Sequence, residues 1–163
     1  MHVGRCKDIR NSVHFNLLTQ KTRGILKGET SRTDKLKAVC NLLNNNISQY
    51  NWVGFYATDK QRPNELVLAC FEGEATEHVK IPFGKGVCGQ AALIGKALVA
   101  QDVSKEANYL SCNSKVKSEI VIPIFRNKKI VGELDIDSHV ASAFTLEDQA
   151  FLENIAEMVS ELF

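Results

Sequence analysis

The stretch KSEIVIPIFRNKKIVGELDIDS (117–138) decides how the chain is read. Residues 119–125 and 129–137 are rich in β-branched residues and are separated only by Arg126–Lys128, which predicts two antiparallel strands joined by a tight turn. The first is apolar on both faces from Ile120 to Ile124, as expected of a central, buried strand. The second alternates. Ile130, Gly132, Leu134 and Ile136 are expected on one face, with Lys129, Val131, Glu133, Asp135 and Asp137 on the other. Three carboxylates then stand in a row, about 6.6–6.8 Å apart along the strand. Aspartate is disfavoured in strands and like charges in line repel, so the row calls for a cation: a metal, an ammonium group, or Lys and Arg partners. A solvated sheet face is the alternative. With no His or further carboxylate at ligand spacing, a metal is not expected. Glu119 stands at the mouth of the buried strand. Burial raises a carboxyl pKa, so Glu119 could serve as a protonated acid near neutrality. The alternative is a strand-end salt bridge to Lys115 or Lys117.

Upstream, residues 50–58 and 65–72 read as a hairpin across the polar turn 59–64, and residues 78–83 as a short strand. Residues 88–93 form a short helix, followed by an extended piece over 97–103 and an irregular stretch to 118. Helices are expected at both ends: 13–27, a second one capped by Thr30 or Ser31, and 145–163 with Thr145 and Asp148 as a capping box. Helices bracketing hairpin-linked strands predict an α+β domain, an antiparallel sheet with helices packed on one face. The chain is expected to form one domain over 1–163, with 1–12 as a disordered N-terminal extension.

The 163 residues carry 20 Lys plus Arg against 19 Asp plus Glu, a formal net charge of +1. That balance argues against a strong electrostatic partner, nucleic acid or anionic membrane. The longest wholly apolar runs are about six residues, such as 120–125, far short of the ~20 that a membrane span needs. The start MHVGRCKDIRNSVHF has no apolar signal core, so secretion is not expected. Five cysteines (Cys6, Cys40, Cys70, Cys88 and Cys112) form an odd set with no CxxC pair. A zinc site or disulfide framework is therefore not expected, and a reducing, cytoplasmic setting fits.

GKGVCG (84–89) matches GxGxxG, but only 23 residues run from Lys80 to Asp102 and Pro82 sits in the leading strand, so dinucleotide binding is rejected. The segment reads instead as a glycine-rich turn that leaves Cys88 at a helix N-terminus, where the dipole favours a thiolate. Cys112 lies in EANYLSCNSKVKSE (106–119), near Lys115 and Lys117, and is the thiol expected to be reactive. Trp52 and Tyr56 share one strand face, either as core or as two walls of a pocket for an apolar or cationic ligand.

Taken together, NWVGFY (51–56), IPFGKGVCGQAA (81–92), QDVS (101–104), KSEIVIPIF (117–125) and GELDIDS (132–138) closely resemble the free methionine-(R)-sulfoxide reductases, a GAF-fold family. The resemblance covers residues 28–162. It implies a GAF fold and a thiol enzyme that reduces free methionine (R)-sulfoxide, with no cofactor or metal and with thioredoxin as the usual reductant. By the family pattern, Cys112 corresponds to the attacking cysteine and Cys88 to a further cysteine able to take part in disulfide exchange. Glu119, Asp135 and Asp137 correspond to the substrate-binding acids, with Glu119 as the proton source, and Trp52 and Tyr56 to the pocket around the methyl group. Three-cysteine members carry a resolving cysteine where this chain has His78, which leaves Cys88, Cys70 or an external thiol for that step. A homodimer through the terminal helices is expected. The alternative function is a non-catalytic GAF module that binds a small molecule.

Overall fold

Arg126 pairs with Lys129 across the decisive hairpin, and the two residues between them, Asn127 and Lys128, both adopt positive φ (51° and 64°). That is the backbone a two-residue hairpin loop requires to match strand twist. The strands it joins, β5 (Ser118–Arg126) and β6 (Lys129–Ser138), lie inside a six-stranded sheet. The others are β1 (Trp52–Thr58), β2 (Glu65–Glu72), β3 (Lys80–Pro82) and β4 (Leu98–Ala100). The order is β3-β2-β1-β6-β5-β4, every pair antiparallel. This computed structural model describes residues 3–110 and 113–163, with side chains from residue 11 onward.

A register shift between Ile124 and Phe125 corrects one expectation about β6. Val131 packs into the helix-side core and Ile130 into the opposite one, the reverse of strict alternation. Gly132 marks the irregularity. A Cβ there would lie 2.3 Å from the Tyr56 carbonyl oxygen and 2.7 Å from the Phe163 ring, so no side chain fits. From Glu133 onward the alternation runs as expected.

Three helices cover one face: α1 (Val3–Lys27), α2 (Arg32–Asn46) and α4 (Leu146–Val159). α1 starts at Val3, ahead of the expected Val13, and so runs through residues 3–12 that the sequence set aside as an extension. Ser31 caps α2, its hydroxyl accepting from the Asp34 amide at 3.1 Å. Thr145 and Asp148 form the expected capping box on α4, and the buried Asp148 also accepts from the Tyr50 hydroxyl at 2.7 Å. Leu18, Leu36, Leu43, Leu152 and Ile155 meet Val53, Phe55, Ile120, Ile122, Leu134 and Ile136 in the main core. On the other face lies α3 (Gly86–Ile94), packed on β5 and β6. Val87, Ala91 and Ala92 close a smaller apolar cluster there with Leu66, Ile81 and Val121. Among the described residues no helix is long and apolar enough to cross a membrane.

Candidate active site

Three adjacent strands carry the site on the α3 face. In their registers Trp52 lies opposite Asp137, and Asp137 opposite Glu119. Gly54 lies opposite Asp135, and Asp135 opposite Val121. Tyr56 lies opposite Glu133, and Glu133 opposite Pro123. Aromatic and acidic residues predicted from separate segments thus form neighbouring columns on one surface. Trp52 and Tyr56 have ring centroids 6.4 Å apart, and the indole also stacks on Phe71 at 5.5 Å. The indole N–H donates to the Glu74 carbonyl (3.1 Å) and the Tyr56 hydroxyl to the His78 carbonyl (2.9 Å). Gly54 makes this possible: a Cβ there would lie 2.2 Å from the indole, so the ring lies across a residue that must lack a side chain. A glycine between two aromatics in mid-strand was the available sign of such a close approach.

The four acids are not a solvated face. Glu119, Glu133, Asp135 and Asp137 are each at most 5% exposed. Among the described residues, both Glu133 oxygens, Asp135 Oδ1 and Asp137 Oδ1 are buried without a geometric hydrogen-bond partner. Among the described residues no ion pair reaches any of the four. The alternative reading of Glu119 as a strand-end salt bridge to Lys115 or Lys117 does not hold among the described residues: no ion pair reaches Glu119, and Lys115 bonds Glu74 at 2.5 Å. Burial is the main cause that raises the carboxyl pKa of Glu119, Glu133 and Asp137 well above the usual range, with Asp135 the next contributor to each. Burial pushes Asp135 itself up to about 7. For Glu119 this setting favours the protonated form, the direction in which burial was expected to move it.

Cys88 sits in the first turn of α3, fully buried, its S–H directed at Glu119 Oε1 at 3.8 Å. The expected thiolate is corrected. Burial first, then the charges of Asp135, Glu133 and Glu119, push this thiol well above its ordinary value. Desolvation and three acids outweigh the helix terminus. The sulfur and one oxygen each of Glu119 and Asp135 lie within 4.8 Å of one another, a grouping that sequence spacing could not reveal because it spans α3, β5 and β6. Cys70 is on the other face, in the helix-side core, with its sulfur 3.9 Å from that of Cys40. It does not adjoin Cys88.

Cys112 lies outside the described residues. Its described flanks border the site. Leu110 lines a small cavity with His78, Lys85, Cys88, Glu119 and Asp135, and Asn113 lines a second with Trp52, Glu74, Asp137 and His139. The sequence placed Glu133 in the acidic row without a role of its own, and named His78 only for standing where relatives carry a resolving cysteine.

Residues 29–162 match the GAF domain family. The chain is 36% identical over 147 residues to protein YtsP of Bacillus subtilis, covering 90% of this chain and 89% of that protein. It is 34% identical over 145 residues to the free methionine-R-sulfoxide reductase of Escherichia coli, covering 89% and 84%. The fold superposes with a TM-score of 0.85 on the free methionine-R-sulfoxide reductase of Neisseria meningitidis in complex with its substrate, at 33% identity, covering 91% of this chain and 87% of that one. The chain belongs to the GAF-domain family and, within it, to the free methionine-R-sulfoxide reductases.

Proposed function

We propose that this protein reduces free L-methionine (R)-S-oxide to L-methionine at the expense of thiols. The observation that carries the reading is a row of buried acids with no ion-pair partner among the described residues, set beside an aromatic wall. A free amino acid fits both halves. Its ammonium group pairs with Asp135 and Asp137, and its methyl-sulfur end packs against Trp52 and Tyr56. Methionine inside a polypeptide has no such ammonium, which restricts the site to the free form.

In the chemistry, the Cys112 thiolate attacks the sulfoxide sulfur. The oxygen takes a proton from Glu119, whose carboxyl burial first, and then the charges of Asp135 and Asp137, push well above the usual range and so toward the protonated form. The transient bond between the two sulfurs then breaks with its electron pair going to the methionine sulfur, and the protonated oxygen passes from that sulfur to the Cys112 sulfur. Methionine departs as the thioether, and Cys112 is left as a sulfenic acid. Condensation with a second thiol gives a disulfide and water. Cys88 supplies that thiol in this scheme. Burial and the neighbouring acids hold Cys88 as a thiol, so its proton must pass to a neighbouring carboxylate as its sulfur attacks the sulfenic sulfur. An external dithiol such as thioredoxin then restores both cysteines, and no metal or organic cofactor enters. The setting is the cytoplasm. The working unit is a homodimer formed through the terminal helices, where α1 exposes the apolar Val13 and Leu17. Light scattering that finds only an 18.1 kDa particle at micromolar concentration removes the dimer.

The test is turnover of purified protein, with dithiothreitol or a thioredoxin system, on the two methionine sulfoxide epimers and on a peptide sulfoxide. Consumption of the free (R) epimer alone is expected. No methionine from either epimer overturns the reading.

A further inference from the structure

We propose that Cys88, Glu119, Glu133 and Asp135 form a binding site for one divalent metal ion of the zinc class, placed where it blocks the amino-acid pocket. Three of these donors, Cys88, Glu119 and Asp135, converge from three rigid elements, and Glu133 is the neighbouring acid on β6. The Cys88 sulfur and oxygens of Glu119 and Asp135 all lie within 4.8 Å of one another. The sulfur is 3.8 Å from Glu119 Oε1. Two donors at zinc–sulfur and zinc–oxygen bond lengths, about 2.3 and 2.0–2.2 Å, stand about 3.5–3.7 Å apart in a tetrahedron. The observed pair therefore needs little movement to hold an ion between them.

Glu133 is the independent observation. It is 0% exposed, it stands two residues before Asp135 on the same face of β6, and among the described residues neither of its oxygens has a geometric hydrogen-bond partner. A buried carboxyl left unpaired carries a desolvation cost that a cation removes. The substrate scheme gives Glu133 no role, since the ammonium falls to Asp135 and Asp137. A second cation of compact size answers the surplus acid. One sulfur with carboxylate oxygens favours zinc over magnesium or calcium, which prefer oxygen alone. Binding displaces the Cys88 proton, because a metal takes the thiolate. Asp135 and Glu119 are shared with the reductase scheme, so metal and methionine sulfoxide exclude each other. Metal binding itself does not depend on the reductase reading.

Calorimetric titration of the reduced protein with zinc chloride, and cobalt(II) as a spectroscopic probe, test the site. We expect one ion per chain and a thiolate-to-cobalt charge-transfer band. Cys88→Ser should abolish the band and Cys112→Ser should leave it. Glu133→Gln and Glu133→Val should each weaken zinc binding at least tenfold while retaining the native near-ultraviolet dichroism. Methionine sulfoxide should raise the apparent zinc dissociation constant if the reductase reading also holds. Absence of one-to-one binding by the wild type overturns the proposal. So does a band that survives Cys88→Ser, or an affinity that both Glu133 variants leave unchanged.

Discussion

Replacing Asp135 by Asn separates what the acidic row costs the fold from what it contributes to binding. Burial raises the Asp135 carboxyl from its ordinary 3.8 to about 7. Between those values the folded chain holds a proton that the unfolded chain has released. Stability therefore falls as pH rises through this window and is lowest above pH 7. The gap between 3.8 and about 7, at ~1.36 kcal/mol per pH unit, amounts to a cost on the order of 4 kcal/mol once the pH exceeds 7. At pH 5 only about 1.6 kcal/mol of it has developed, since the folded group is still protonated there. Asparagine is close in shape to the neutral acid and does not ionise. The variant should therefore gain stability relative to wild type, and the gain should be about 3 kcal/mol larger at pH 8 than at pH 5. The same change removes a charge-assisted bond to the substrate ammonium, worth about 1.5–3 kcal/mol, so affinity for methionine sulfoxide should fall ten- to hundredfold. Urea unfolding followed by the fluorescence of the single tryptophan, Trp52, reads the first effect, and KM reads the second. If the two proteins show the same pH dependence of unfolding, Asp135 is ionised or solvated in the fold and the electrostatic reasoning fails.

Cys112→Ser should release no methionine even in a single turnover, whereas Cys88→Ser should release about one per chain without reductant and then stall unless dithiothreitol attacks the sulfenic acid directly. Counting methionine and free thiols before and after checks both: wild type should lose two thiols if an internal disulfide forms. Gly54→Ala should displace the indole, because the added methyl would sit 2.2 Å from the Trp52 ring, and KM should rise while the helix-side core stays folded. Tyr50→Phe should lower stability by about 1–3 kcal/mol without changing KM, because it leaves the buried Asp148 carboxylate short of a donor far from the site; thermal unfolding beside steady-state kinetics measures it.

The sheet order itself lay beyond the sequence, but its central hairpin did not. Alternation along 129–137 placed Glu133, Asp135 and Asp137 together, and the structure puts them there. It failed at Ile130 and Val131 because an irregularity in register is a local event that residue order alone does not reveal. The pairing of Glu119 with Asp137, and of Trp52 with Asp137, depends on which strands neighbour β6, which is a property of topology. Cys88 shows a different limit. Its position at a helix start was legible, yet its ionisation was decided first by burial and then by acids on two other elements. The burial of Glu133 was equally hidden. A carboxylate facing the apolar cluster under α3 reads, in sequence, like one facing water.

The same acids that raise one another's pKa also order the proposed chemistry. Before substrate arrives, raised pKa values let the row carry protons rather than charge, which makes its burial tolerable. An incoming ammonium favours the ionised forms of Asp135 and Asp137. Those two charges are the largest electrostatic influences on Glu119 after burial, and both hold its pKa up. Substrate binding therefore charges the residues that grip the ammonium while keeping protonated the one residue that must donate to the sulfoxide oxygen. The division of labour follows from register. Glu119 stands opposite Asp137 across β5 and β6, close enough to feel its charge, and sits on a different strand from the two acids assigned to the ammonium.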